Sequence, residues 1–95
     1  MEHLFVITYD ISDPKRWRHV YGIMEGYGDW LQLSVFQCRL SRSRVIQLEA
    51  DLGEAMNQHE DHVLILDLGP ADDVTLRVRS LGKKFAPLQR QAVIV

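Results

Sequence analysis

His3-Leu4-Phe5-Val6-Ile7-Thr8-Tyr9-Asp10-Ile11 is the stretch that decides the fold. It is apolar with almost no alternation, and rich in β-branched and aromatic residues. A strand open to water on one side alternates apolar and polar; a run like this reads as a strand buried on both faces. Asp10 is a carboxylate near its end. Asp13-Pro14 then starts a helix, with Asp13 as N-cap and Pro14 at the first helical position. Trp17, Val20, Tyr21, Met24 and Tyr27 recur at helical spacing and form one buried stripe. Lys15, Arg16, Arg18, His19 and Glu25 fall mostly on the other faces. Gly26 and Gly28 are expected to stop the helix through the left-handed conformation that glycine accepts.

Leu31 to Leu40 is strand-like but changes phase. Leu31, Leu33 and Val35 share one face, whereas Phe36, Cys38 and Leu40 share the other. A strict period of two cannot bury both sets. A bulge or bend near Val35-Phe36 is expected, giving one kinked strand or two short ones. Ser41 caps a second helix whose apolar stripe is Val45, Leu48, Leu52, Ala55 and Met56. Val63 to Leu68 is a further strand, and Gly69-Pro70-Ala71-Asp72-Asp73 a turn. Around Val74–Val78 a short helix and a short strand are both compatible with the pattern, with a loop through Pro87. The chain closes on Ala92-Val93-Ile94-Val95.

The order strand, helix, kinked strand, helix, strand predicts an α+β ferredoxin-like sandwich (βαββαβ) with an additional C-terminal strand. Two helices cover one face of such a sheet. The first strand and the Val63–Leu68 strand are apolar on both faces, so the other face needs a cover, and a homodimer is the expectation. The terminal strand is expected to pair with a sheet edge, that of the partner subunit being the reading adopted.

With 95 residues the chain is read as a single domain over 1–95. A domain of this size buries only roughly 60–65% of its unfolded-chain surface, so a partner adds much. No apolar run approaches the roughly 18–20 residues of a membrane span, and no signal-peptide pattern opens the chain. Cys38 is the single cysteine, which excludes an intramolecular disulfide and a CxxC metal pair. A cytoplasmic protein is the expectation.

The formal net charge is −2, which does not advertise a polyanion partner. The distribution says more than the sum. Lys15, Arg16 and Arg18 cluster; so do Arg39, Arg42 and Arg44, and Arg77, Arg79, Lys83, Lys84 and Arg90. Glu49, Asp51, Glu54, Glu60 and Asp61 are grouped elsewhere. Charge alone fits an ordinary solvated surface as well as a one-sided basic patch.

Asp10 carries the candidate chemistry. A strand-end carboxylate facing basic residues can hold a metal ion near a phosphate. Magnesium, or manganese, prefers octahedral oxygen ligation with one or two carboxylates plus waters and phosphates. A two-fold axis near Asp10 would bring two carboxylates together. A bound ion would relieve their repulsion and activate water for phosphodiester hydrolysis, with Arg16 and Arg18 on phosphate oxygens. The competing reading is a carboxylate that merely ends a strand and accepts hydrogen bonds from the turn. His59 and His62 are three apart, but they straddle a helix end and a strand start and lack a third ligand, so they read as surface residues. Ser34 has no sequence sign of a nucleophile's partners. Trp17, Tyr21 and Tyr27 read as core, and Cys38 as a small buried hydrophobe. Phe36 fits either internal packing or a ligand.

Tyr9-Asp10-Ile11-Ser12-Asp13, Lys15-Arg16-Trp17-Arg18, Glu25-Gly26-Tyr27-Gly28 and Ser34-Val35-Phe36-Gln37-Cys38-Arg39-Leu40 together resemble the small CRISPR-associated nuclease family of the spacer-acquisition machinery. This is the second and smaller of the two near-universal CRISPR-associated proteins. The likeness covers residues 3–69 in order and spacing. It implies a ferredoxin-like homodimer with Asp10 of each chain facing the other across a cleft. It further implies a metal-dependent nuclease on single-stranded RNA or double-stranded DNA that works with the CRISPR integrase, or a scaffold bridging integrase dimers in which cleavage is dispensable. By motif position Tyr9, Asp10, Arg16, Arg18, Ser34 and Phe36 line or support the site. Two departures stand out. Trp17 interrupts a basic stretch, and Trp30, Leu31 and Gln32 occupy a place where some members carry a basic residue.

Overall fold

The structure is a computed structural model that describes residues 1–82 and the backbone of 92–94. Its elements are β1 (Glu2–Asp10), α1 (Pro14–Glu25), β2 (Asp29–Gln32), β3 (Val35–Ser41), α2 (Arg42–Ala55), β4 (His62–Pro70), β5 (Leu76–Val78) and β6 (Ala92–Ile94). The first four strands that pair form one sheet in the order β2-β3-β1-β4, antiparallel throughout. This is the ferredoxin-like order, with both helices on one face.

Local chemistry sets both helix starts. Asp13 accepts the Arg16 backbone N–H at 3.0 Å, and Pro14 follows at the first helical position. Ser41 accepts the Arg44 N–H at 3.3 Å. Each cap satisfies one donor that the first turn cannot pair. The stop of α1 differs from expectation. Gly26 keeps a right-handed φ of −78°, and its N–H bonds back to the Ile23 carbonyl. Gly28 is needed for space instead: a Cβ there would run into Cys38 Sγ and the Gln37 carbonyl. The glycine lets the chain pass against β3 as it enters β2.

The phase change between Leu31 and Leu40 resolves into two strands. The register of β2 on β3 shifts between Trp30 and Gln32, and the chain reverses at Leu33-Ser34. The break therefore lies just ahead of the expected Val35-Phe36 position. Leu33 takes the turn with φ +35° and is 71% exposed; a left-handed backbone is uncommon for leucine.

Phe5, Ile7 and Tyr9 of β1 and Phe36, Cys38 and Leu40 of β3 point toward the helices. They pack with Val20 and Met24 of α1 and Leu48, Leu52 and Ala55 of α2. Alternate residues form the other face, where Val6, Thr8 and Asp10 lie opposite Leu66, Leu64 and His62. That face is covered at one end. Ala71 donates its N–H to the Glu2 carbonyl at 2.9 Å, and Leu4 is buried beside Ala71 and Val74. Farther along, Leu64, Leu66 and Leu68 are 47%, 46% and 40% exposed.

Leu76–Val78 is a strand, and Ala92–Ile94 pairs with it in parallel within the same chain. Within the chain the terminal strand thus pairs with β5 and not with the four-stranded sheet, whereas a partner subunit's edge was the expectation. The loop expected through Pro87, and Val95, lie outside the described residues.

Candidate active site

Asp10 ends β1 on the face opposite the helices, and it is exposed. Its cross-strand partner is His62, the first residue of β4, also exposed. On its other side runs the β2–β3 turn: Tyr9 donates its backbone N–H to the Ser34 carbonyl at 3.1 Å. The strand-end carboxylate therefore sits at the rim of the apolar patch made by Leu64 and Leu66.

Three residues expected at the site come together beneath it, as support. Tyr9 stacks on Phe36, with ring centroids 6.3 Å apart, and meets Trp17 at 6.4 Å. Trp17 stacks on Tyr21 at 5.4 Å, and Tyr21 meets Phe36 edge-on at 5.5 Å. Such pairs each add about 0.5–1.5 kcal/mol beyond area burial. Trp17 Nε1 donates to Ser34 Oγ at 2.8 Å, pinning the turn to α1. Phe36 is fully buried and Tyr9 nearly so, so neither side chain offers a surface to a base. Their rings hold the end of β1 in place. Burial pushes the Tyr9 hydroxyl up to about 12. Ser34, close by, moderates this, although no hydrogen bond forms at that oxygen among the described residues.

Arg16 does something other than expected. Its Nε donates to Asp61 Oδ2 at 2.8 Å, and its NH2 group reaches Glu60 Oε1 at 3.1 Å and Ser12 Oγ at 3.2 Å. Asp61, whose side chain has no exposed surface, also accepts the backbone N–H of Ser12 at 3.0 Å and of Asn57 at 2.7 Å. The Arg16 hydrogen bond, with these backbone donors, holds the Asp61 carboxyl well below the usual carboxylate range against the opposing effect of desolvation. Arg16, expected on phosphate oxygens, is engaged in an ion pair within the chain, with its side chain 27% exposed. Sequence reasoning grouped Asp61 with other acidic residues and missed this role, because Ser12 and Arg16 are far away in the chain. Arg18 is exposed on α1, with no ion pair among the described residues.

One chain supplies one carboxylate here. No group of three or more His, Cys, Asp or Glu residues able to hold a metal occurs among the described residues. Asp10 fits magnesium or manganese as one ligand of a set completed from elsewhere, since such ions take one or two carboxylates with waters and phosphates. No helix among the described residues is long and apolar enough to cross a membrane.

The profile of the CRISPR associated protein Cas2 family matches residues 3–75. A Geobacter sulfurreducens protein named CRISPR-associated endoribonuclease Cas2 is 59% identical over 95 residues, covering 100% of both chains. A Rhodospirillum rubrum protein, CRISPR-associated endoribonuclease Cas2 1, is 57% identical over 94 residues, covering 99% of this chain and 92% of that one. Among solved structures, one titled "Crystal structure of cas2" superposes with a TM-score of 0.75 at 27% identity, covering 95% of this chain and 98% of that one. Thermus thermophilus TT1823 gives 0.76 at 23% identity, covering 90% and 100%, a likeness of fold.

Proposed function

The chain belongs to the CRISPR associated protein Cas2 family, and from that premise we propose that it is a metal-dependent endonuclease of CRISPR adaptation, acting as a homodimer through Asp10 of both chains. One observation carries this reading: Asp10 is an exposed carboxylate at the edge of an exposed apolar strip, Leu64 and Leu66, on the same sheet face. Burying that strip against a second copy would bring the two aspartates toward one another. RNA is the first substrate to test, because both full-length relatives carry the name endoribonuclease; duplex DNA is the competing one.

In this reading the two Asp10 carboxylates hold and orient the ion, while Arg18 meets phosphate oxygens. The leucines keep bulk water from the cleft's floor. When bound, magnesium or manganese polarises the scissile phosphate and lowers the pKa of an attacking water. The aromatic wall of Tyr9, Phe36 and Trp17 fixes the strand end, so that the carboxylate need not reorganise as charge develops.

A second reading draws on a specific observation. Among the described residues Asp10 belongs to no group of three or more His, Cys, Asp or Glu residues able to hold a metal, which suits a dimeric scaffold that holds duplex DNA between integrase subunits in the cytoplasm without cutting it. Cleavage of labelled single-stranded RNA and duplex DNA separates the two. Wild type and Asp10→Ala are compared with Mg2+, with Mn2+ and with chelator. Cleavage that requires both the ion and Asp10 supports the nuclease and names its substrate. Equal cleavage by the variant, or none by wild type, removes Asp10 from catalysis and leaves the scaffold.

A further inference from the structure

His62 sits directly across the β1–β4 ladder from Asp10. Both residues are exposed. Directly opposite residues in an antiparallel pair have Cβ atoms roughly 4.5–5.5 Å apart and point to the same face. Neither side chain has a hydrogen bond or ion pair to any other among the described residues, whereas His3 is taken by Asp67 at 2.9 Å. The backbone leading into His62 is tied down as well. Asp61, its neighbour, accepts from Ser12, two residues past Asp10, and from Arg16 and Asn57. This single buried carboxylate ties the exit of β1 to the entry of β4. It locks the Asp10–His62 register at the place where strand ends ordinarily fray.

We infer that His62 is a second metal ligand, so that each chain contributes an Asp10–His62 carboxylate–imidazole pair to the ion. The inference rests on the reading of Asp10 as a metal ligand and extends it. A carboxylate and an imidazole on adjacent strands can span one ion, because their Cβ atoms stand roughly 4.5–5.5 Å apart on one face and a magnesium–oxygen bond is about 2.0–2.1 Å long. The donor set has a consequence for metal choice. Carboxylate, carbonyl and water suit magnesium and manganese alike, whereas imidazole is a ligand of the first-row transition metals, of which manganese is the weakest binder. Affinity for Mn2+ therefore exceeds that for Mg2+ by more than Asp10 alone would give. The tie through Asp61 acts on the backbone that carries both side chains, through the N–H groups of Ser12 and Asn57.

The test reads the metal and not turnover. Purified full-length wild type, His62→Ala, His62→Gln and Asp10→Asn are titrated with Mn2+ and with Mg2+ by calorimetry at one fixed pH, and the Mn2+ complexes are examined by pulsed electron paramagnetic resonance. Wild type should show coupling to an imidazole nitrogen. His62→Ala should lose that coupling and bind Mn2+ about tenfold or more weaker, with a smaller loss for Mg2+. His62→Gln guards against a trivial packing effect and should likewise lack the nitrogen signal. Nitrogen coupling absent from wild type, or retained in both His62 variants, overturns the inference, as does unchanged Mn2+ affinity. If Asp10→Asn binds Mn2+ as wild type does, the proposed Asp10 site itself has failed. If Asp10→Asn abolishes binding while the His62 variants do not weaken it, only the role of His62 has failed.

Discussion

Arg16 Nε donates to Asp61 Oδ2 at 2.8 Å, and this contact decides how the candidate site is held. It joins the first turn of α1 to the residue before β4. Through Ser12 it also reaches the exit of β1. A residue that local sequence placed on phosphate is part of the frame behind Asp10.

Loss of this frame should be costly. Asp61→Asn removes the charge that Arg16 needs, and it leaves the N–H groups of Ser12 and Asn57 with a weaker acceptor. A midpoint at least about 5 °C lower in thermal unfolding near neutral pH is expected. The dependence on pH is equally specific. The folded Asp61 carboxyl is held below its ordinary unfolded value of about 3.9. Its contribution is therefore full above that unfolded value and is lost as pH falls toward the folded one. The gap between wild type and Asp61→Asn should be constant above about pH 5 and narrow below pH 4. Asp67 and Asp51 are also held low, by Gly69 N–H and the Tyr27 hydroxyl respectively. They bend the acid limb of both proteins, so the difference isolates Asp61. A gap that stays constant down to pH 2 would contradict the buried ion pair.

Two glycines should respond with opposite signs. A Cβ on Gly28 meets Cys38 and the Gln37 backbone, whereas one on Gly22, in the middle of α1, meets nothing within 4 Å. Gly28→Ala has to push β2 away from β3 and is expected to cost about 1–3 kcal/mol. Gly22→Ala lowers the entropy cost of ordering the helix and should gain about 0.5–1 kcal/mol. Urea unfolding midpoints of the two variants check both; equal midpoints would refute the close approach at Gly28.

What the sequence revealed and what it hid follow from distance along the chain. Asp13-Pro14 and Ser41 announced their helices because a cap bonds to an N–H three residues on. The ferredoxin-like order followed from element type and count. Gly28 was legible as a break but not as a close approach, since Cys38 meets it only after β2 and β3 pair. The Leu31–Leu40 phase change announced an irregularity, and the register shift on β3 set its place. Phe36 was ambiguous because nothing local tells a core ring from an exposed one; Tyr9 and Tyr21 decide it. The ion pair of Arg16 was hidden for the same reason, its partner Asp61 lying far along the chain. The strand-end position of Asp10 was readable because the apolar run closes in sequence close to where β1 ends.

Cys38 should be chemically silent. It is fully buried between β3 and the helices. Burial, with a smaller push from Asp29, raises its thiol to about 12. Only thiolate reacts appreciably with disulfide reagents. Native protein should give negligible release from Ellman's reagent over an hour at neutral pH, against full reaction of the single cysteine in guanidinium. Rapid reaction of native protein would mean that the β2–β3 edge opens.

The apolar face makes the strongest demand on a second chain. Leu64 and Leu66 lie opposite Thr8 and Val6 and are each nearly half exposed. Fully burying a leucine contributes about 1.5–3 kcal/mol, and a two-fold contact counts every residue twice. Leu64→Glu and Leu66→Glu should therefore shift the chain from dimer to monomer in sedimentation, since like charges would face one another across the contact. The folded chain should tolerate both changes, because neither side chain enters its own core, and circular dichroism should remain that of wild type. Cleavage, where wild type shows it, should fall with the dimer although Asp10 is untouched. Mixing Leu66→Glu with Asp10→Ala should restore none of it, because neither chain would supply both an intact face and a carboxylate. Monomeric wild type at micromolar concentration would refute the dimer, and a Leu66→Glu variant that remains dimeric would move the subunit contact to another surface and separate the two aspartates.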